Sequence, residues 1–298
     1  MRVTDLTTSN TIISQIDSLS SQQANLQAEV SSGQKITNPE DNPSGFNTAL
    51  TLENQLSQVK QYGSNASAAL TVAQASSAGL TSLNSVSDRA GQLAVLGTGT
   101  VSASDMQSYG TEANQLIEQA VEAANTNFNG SYIYGGTADS TPPFTVTRDA
   151  SGNITSVAYV GNNAQTNVPV SSTTSVAATT DGTTNAGIAT FINNLVSLRD
   201  ALNSGSTAAV TATQAGLTND ENVITSAIAT NGGIQTRIEA AQTDQTAQTT
   251  NLQGDLASVV DADLPTTTVQ LSQTQTAYQA ALQSAVSTMQ LSILNYIH

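Results

Sequence analysis

The sequence contains no cysteine and no tryptophan, and only 4% of its 298 residues are aromatic. Without cysteine the chain cannot form disulfides, thiolate metal sites or a cysteine nucleophile. The chain has a single histidine, His298, so it lacks the residues that metal sites and histidine-based catalysis commonly use. Because large aromatic side chains dominate thick cores, we expect thin layers of helices instead. We therefore expect no enzyme, no cofactor and no metal site.

Charged residues are also scarce, at 10%, and the formal net charge is −15. Nucleic acids and anionic membrane surfaces repel a chain of this charge, so neither is an expected partner. The sequence has no run of about 18 apolar residues that would span a membrane. Its first residues lack the apolar core of a secretory signal, so an exported chain would use a route that does not read one.

Two apolar stripes mark the ends of the sequence as helices with a coiled-coil pattern. The N-terminal stripe follows steps of three and four, with Gln23 filling one position, and a loop rich in proline and turn formers follows it at 38–45. The C-terminal stripe lies near one face of a last helix at 266–296. The N-terminal stripe is Ile12, Ile16, Leu19, Leu26 and Val30, and the C-terminal stripe is Leu271, Tyr278, Leu282, Met289, Ile293 and Tyr296.

Between the ends, helical periodicity predicts helices at 46–97, 104–127, 188–203, 207–230 and 234–260, with a break near Pro265. Residues 128–185 carry glycines and prolines that no long helix tolerates. There, 144–148 and 154–160 flank a glycine-containing turn, which predicts a β-hairpin, and 168–170 predicts a short edge strand.

The predicted fold class is mainly α: a long antiparallel helical hairpin or coiled-coil rod with paired terminal helices and a small β-rich insert at mid-chain. Three domains are expected. They are a terminal polymerisation domain (1–45 and 261–298), a helical rod domain (46–127 and 186–260) and the insert (128–185).

Several short strings resemble those of the flagellin superfamily, which includes flagellin and the hook–filament junction proteins. They are Ser-Gly-Gln-Lys-Ile at 32–36, Arg-Ala-Gly-Gln-Leu-Ala-Val at 89–95, Thr-Asn-Phe-Asn-Gly at 126–130 and Asp-Ala-Asp-Leu at 261–264. The continuation Tyr-Ile-Tyr-Gly-Gly at 132–136 is more similar to junction proteins than to flagellins. The ending Leu-Ser-Ile-Leu-Asn-Tyr-Ile at 291–297 points the same way, although Asn295 replaces the expected Asp and Pro265 stands where a helix former is usual.

This resemblance implies a structural subunit that joins hook to filament through its helical ends. It also implies self-assembly, contacts with hook-associated protein 1 and with flagellin, an export chaperone that holds the C-terminal helix, and export by the flagellar type III route to an extracellular flagellum. Flagellin itself is the alternative within the family. A coiled-coil surface adhesin is a further alternative, but it would need a secretion signal and an anchor.

Two hypotheses concern particular residues. Arg89 is a candidate contact with a partner subunit or, as in flagellins, with a host receptor; the alternative is a solvated arginine on a helix face. The terminal helices offer too few large apolar side chains to offset the entropy of ordering about 25 residues each, at about 1–2 kcal/mol per residue. We therefore expect both ends to be largely disordered in the free subunit and to fold when neighbouring subunits cover their stripes.

Overall fold

The structure, a computed structural model, describes residues 2–297, with side chains described for residue 7 and for residues 9–288. Within this range the chain forms six helices and three short antiparallel strand pairs. The prediction of a mainly α fold with a small β-rich insert at mid-chain is confirmed. In chain order the elements are α1 (Arg2–Ser32), α2 (Pro43–Gly97), α3 (Ala103–Ala124), β1 (Asn127–Phe128), β2 (Ser131–Tyr132), β3 (Phe144–Arg148), β4 (Ile154–Tyr159), β5 (Asn167–Pro169), β6 (Ser175–Ala177), α4 (Gly182–Asn203), α5 (Thr207–Val260) and α6 (Leu264–Ile297).

The contacts divide the chain into two compact units. The terminal unit comprises the residues up to Gln58 together with those from Gln248 onward, and the central unit comprises Val59–Ala247. The terminal unit thus contains α1, α6 and the adjoining ends of α2 and α5. The central unit contains the other helices and all six strands. The three domains expected from the sequence stay a prediction.

Three helices begin at side-chain caps that the sequence carries. Asn42 precedes α2 and its Oδ1 accepts a hydrogen bond from the Gly45 amide at 2.9 Å, while proline occupies the first helical position. Ser102 and Asp105 form a capping box at the start of α3. Asp181 caps α4 by accepting from the Thr184 amide at 2.8 Å. The starts of α2 and α3 lie within three residues of the predicted positions, whereas α4 begins about six residues earlier than predicted.

The prediction of two helices at 207–230 and 234–260 is wrong, because α5 runs without a break from Thr207 to Val260. Gly232 and Gly233 cost about 1 kcal/mol each in a helix. Packing on either side of them overrides that cost. Asn231 is buried, and Gln235 Nε2 donates to Asn231 Oδ1 at 2.6 Å and to the carbonyl of Ala73 in α2 at 3.4 Å.

The β insert begins with a tight hairpin between β1 and β2. Its two turn residues, Asn129 and Gly130, have φ of 51° and 88°, as a type I′ turn requires. The string that resembles the flagellin superfamily here therefore has a structural cause. The predicted hairpin of 144–148 with 154–160 is confirmed as β3 paired with β4, and the predicted edge strand at 168–170 appears as β5, paired with β6.

Tyr134 ties the insert to two helices of the central unit. Its ring is fully buried, its Oη donates to the carbonyl of Ser76 in α2 at 2.8 Å, and its own carbonyl accepts from Asn185 Nδ2 in α4 at 2.9 Å. Burial raises the pKa of the phenol well above its usual range. Gly79 leaves the space that this ring needs, since a Cβ there would lie 2.4 Å from Tyr134 Oη.

Candidate assembly surface

The N-terminal stripe lies on the more buried side of α1, and α1 packs against α6. Leu26 is buried, and the other four residues of the stripe, with Gln23, are half-buried. Ile13, next to the stripe, is 45% exposed. The predicted pairing of the terminal helices is therefore present, and the heptad steps identify the side of α1 that takes part in it.

The corresponding side of α6 is offset from the predicted C-terminal stripe. Leu271 and Tyr278 are half-buried, but Leu282 is 40% exposed and does not belong to the buried side. Its predicted role in the assembly stripe stays a prediction. The side chains of Met289, Ile293 and Tyr296 lie outside the described residues. The positions that complete the buried side of α6 carry small residues: Thr267, Thr274, Ala281 and Ala285.

The offset has a physical reason in the periodicity. The large apolar residues of α6 recur with the 3.6-residue helical period, whereas helices that stay in contact over several turns use a period near 3.5. Threonine and alanine at the 3.5-period positions let the helix backbones approach closely. Leu282 and Val286 lie outside these positions and are 40% and 55% exposed.

A short antiparallel bridge joins the end of α1 to the break between α5 and α6. Gln34 pairs with Asp261, the Lys35 amide donates to the carbonyl of Val260 at 2.7 Å, and the Ala262 amide donates to the carbonyl of Gly33 at 2.9 Å. Helix ends leave carbonyls without partners, and these bonds satisfy the last carbonyl of α5 and that of Gly33, just after α1. The bridge sets α1 antiparallel to α6.

Lys35 adds a charged contact to the same bridge. Its Nζ donates to the carbonyl of Ser258 at 2.9 Å, which places a cation at the negative end of the α5 dipole. Gly33, with φ of 74°, ends α1 in the left-handed conformation that favours glycine. The Ser-Gly-Gln-Lys-Ile string thus ends one helix and caps another. The sequence analysis identified the string but not this capping role.

The loop that follows is held by Asp41. Its Oδ2 accepts from the amides of Thr37 and Asn38, at 3.0 and 2.8 Å, and from the Thr37 hydroxyl. These backbone donors lower the pKa of the Asp41 carboxyl. The acidic, proline-containing loop is therefore a folded connection that leads into the Asn42 cap of α2.

The terminal unit has a much thinner core than the central unit. Its buried apolar residues are Leu26, Ile36, Ala49, Val260 and Ala285, each 6–8% exposed. No described side chain in this unit is fully buried. In the central unit, by contrast, fully buried side chains include Phe144, Phe191 and most of the inward-facing leucines and isoleucines.

Large apolar side chains are instead exposed along the terminal unit. Those at least 36% exposed among the described residues are Ile13, Leu50, Leu264, Val269, Leu282 and Val286. Single exposed apolar residues are normal, but several on the helices of one thinly packed unit indicate a surface that another molecule covers. Val286 was not predicted; its four-residue spacing from Leu282 is the signal that could have found it.

Arg89 lies in the central unit, apart from this surface, and is not a free arginine. Its Nε and Nη2 donate to the two carboxylate oxygens of Glu112 in α3 at 2.6 and 3.0 Å, and its Nη1 donates to Gln92 at 2.9 Å. The bidentate bond lowers the pKa of Glu112 and raises that of Arg89. The side chain links α2 to α3, and its predicted role as a subunit or receptor contact stays a prediction.

The described residues hold no cluster of three or more histidine, cysteine, aspartate or glutamate side chains that could bind a metal ion. In the same part of the chain, every helix is too short or too polar for a membrane span.

Residues 3–139 match the family model of the bacterial flagellin N-terminal helical region. This part of the chain is flagellin-like. The resemblance stated from its sequence strings is confirmed, over a region that includes the bridge loop, the Arg89 segment and the Asn129–Gly130 turn. No curated protein sequence matches the chain at a significant level.

Solved structures share its fold at low sequence identity. A putative flagellar hook-associated protein from Vibrio parahaemolyticus superposes with a TM-score of 0.66 and 16% identity, covering 74% of this chain and 100% of that one. Bacillus cereus FlgL gives 0.60 and 20%, covering 69% and 98%. Xanthomonas campestris FlgL gives 0.57 and 14%, covering 69% and 99%. At these identities the likeness concerns the fold.

Proposed function

We propose that this chain is a structural, non-enzymatic subunit of the bacterial flagellum that joins the hook to the filament. The observation that carries the proposal is the open terminal unit, in which paired helices of a flagellin-like chain leave large apolar side chains uncovered. The fold shared with hook-associated proteins supports the junction in preference to the filament.

The thin core of the terminal unit gives the physical basis for assembly. Ordering each residue costs about 1–2 kcal/mol, and burial of a large apolar side chain returns about 1.5–3 kcal/mol only when that burial is complete. Half-buried stripes recover a fraction of this. Neighbouring subunits that cover Ile13, Leu282 and Val286 complete the burial, so the terminal helices become stable as assembly proceeds.

The partners follow from this role. The chain assembles with copies of itself, with hook-associated protein 1 on one side and flagellin on the other, outside the cell. Before export by the flagellar type III route, a cytoplasmic chaperone covers the apolar face of the C-terminal helix. Ends that are unstable in the free subunit prevent early polymerisation and suit passage through a narrow channel.

A deletion strain with two matched variants tests the proposal. Val286→Asp places a carboxylate on the exposed face of α6, where coverage by a neighbour would bury it at a cost of several kcal/mol. Val95→Asp makes the same change at a valine of the central unit that is 65% exposed. We expect the deletion strain to carry bare hooks and shed flagellin, Val95→Asp to restore filaments, and Val286→Asp to fail.

The amount of each variant in the culture medium separates assembly from export. Val286→Asp found in the medium but absent from hook tips indicates lost assembly, whereas retention in the cell indicates lost chaperone binding or export. Restoration of filaments by Val286→Asp would refute the assembly surface. Normal filaments in the deletion strain would refute the junction function.

Flagellin is the second candidate, because the matched family region is that of flagellin. Electron microscopy of the purified protein distinguishes the two. Long helical filaments formed by this chain alone would establish flagellin, and monomers that attach only to hook tips would establish the junction subunit.

Amide exchange on the dilute monomer tests the marginal stability of the ends. We expect α1 and α6 to exchange far faster than the core helices of the central unit, because few of their apolar contacts are buried. Protection of α1 and α6 equal to that of α4 would contradict the coupling of folding to assembly.

A further inference from the structure

The β5–β6 hairpin of the central unit has two unlike edges. Its register pairs Val168 with Val176 and Pro169 with Ser175, and the Val170 amide donates to the carbonyl of Thr174 at 2.9 Å. Hydrogen-bonded and non-hydrogen-bonded pairs alternate in an antiparallel ladder. Val176 therefore bonds across the hairpin, and the backbone groups of Ser175 and Ala177 point away from β5.

The outer edge of β5 is closed. Pro169 has no amide hydrogen to offer, and its carbonyl accepts from Asn65 Nδ2 of α2 at 3.0 Å. Just beyond β5, the carbonyl of Val170 accepts from Gln245 Nε2 of α5 at 2.5 Å, which fixes the end of the strand to α5. Proline and side-chain amides are devices by which proteins prevent an edge strand from pairing with another chain.

The outer edge of β6 has no such protection. Among the described residues, nothing hydrogen-bonds to the outward amides and carbonyls of Ser175 and Ala177. Both residues line a groove of about 840 Å³, which is also lined by α5 residues that include Val223, Ser226 and Thr230. Unpaired backbone groups that face an open groove are the arrangement that accepts an added strand.

We propose that β6 binds an extended segment of a second copy of this chain, which adds as a third strand in the groove. The amides of Ser175 and Ala177 donate to the carbonyls of the incoming segment, and their carbonyls accept from its amides. Small side chains on α5 and β6 leave room for that segment. The contact is short, so it is weak alone and gains strength where copies are held side by side.

Charge complementarity argues for a second copy as the source. Arg237 lines the same groove and, within the described part of the chain, forms no ion pair or side-chain hydrogen bond. The acidic residue among the lining residues, Asp181, is engaged as the cap of α4. The chain carries 22 acidic and 7 basic residues, so each copy presents many carboxylates to an unpaired arginine of another. Serine, threonine and alanine are abundant in its loops and suit the narrow groove.

Hydrogen exchange of the full chain at micromolar and millimolar concentration tests the inference. We expect the Ser175 and Ala177 amides to exchange at least about tenfold more slowly at the higher concentration, since pairing protects amides that are otherwise open. A second segment that gains protection in parallel would identify the incoming strand. Exchange of the α1 and α6 amides, measured in the same experiment, reports association through the terminal helices and distinguishes it from association through β6.

Two pairs of variants provide the controls. Ser175→Pro removes one outward amide without removing a bond to β5, whereas Ser175→Ala removes only the hydroxyl. Arg237→Gln removes the charge, whereas Arg237→Lys keeps it. We expect the concentration-dependent protection of Ala177 to be lost in Ser175→Pro, to remain in Ser175→Ala, and to be weaker in Arg237→Gln than in Arg237→Lys.

Three results would overturn the inference. They are exchange of both amides that is independent of concentration, protection that persists in Ser175→Pro, and protection that appears only when a different flagellar protein is added. The last result would assign the groove to another chain. None of these three results depends on assembly of the terminal helices. The proposed junction function therefore does not depend on the β6 contact.

Discussion

Substitution of Gly79 by alanine should destabilise the central unit through Tyr134. The added Cβ would lie 2.4 Å from Tyr134 Oη and 3.3 Å from two ring carbons, so the ring must move and its bond to the Ser76 carbonyl must break. Overpacking costs about 1–3 kcal/mol. Loss of the buried hydrogen bond costs about 1–3 kcal/mol more, and the better helix propensity of alanine offsets about 1 kcal/mol.

The expected net loss is about 3 kcal/mol, or a melting temperature lower by about 6–12 °C for a unit of this size. Gly91→Ala is the matched control, because it lies in the same helix and its Cβ would meet nothing within 4 Å. It should stabilise by about 0.5–1 kcal/mol. Urea unfolding followed by tyrosine near-UV circular dichroism measures both. A Gly79→Ala variant as stable as Gly91→Ala would refute the reasoning.

Three further predictions concern the central unit. Gly130→Ala should cost about 1–2 kcal/mol in urea unfolding, because φ of 88° is strained for a residue with a Cβ. Burial raises the pKa of Asp220, so the folded state favours the protonated carboxyl and loses stability as pH rises through the raised pKa. Asp220→Asn stays neutral and can still accept the hydrogen bond from Asn194. The stability of this variant relative to the wild type should therefore increase with pH. The Arg89 bond lowers the pKa of Glu112, so its stabilising contribution is present above the ordinary glutamate pKa and disappears as pH falls through the lowered value; Glu112→Gln should flatten that part of a stability–pH curve.

Much of the fold could be predicted because its signals are local. The Asn42–Pro43 cap, the Asn129–Gly130 turn and the alternation of β3 and β4 each act within a few residues. The break predicted near Gly232 failed for the opposite reason. The contact that keeps α5 continuous there joins Gln235 to Ala73, far away in the sequence.

The candidate surface likewise has a part that the local sequence predicts and a part that depends on contacts between distant residues. The heptad steps of α1 predicted its buried side, because each stripe position is occupied by a large apolar residue or by Gln23. On α6 the buried side is offset from the predicted stripe, since the large residues follow one period and the helix contact follows another. The exposure of Leu282 and the role of Thr274 depend on how closely two backbones approach, which no single helix specifies.

The bridge at Gln34 also has a consequence for biosynthesis. The carbonyl that Lys35 Nζ binds belongs to a residue 223 positions later in the sequence. Ribosomes add about 5–20 residues per second, so α1 emerges roughly 10–45 s before the segment that completes its helix pair. The central unit is synthesised within that interval, so the terminal unit is the last part of the newly made chain to close.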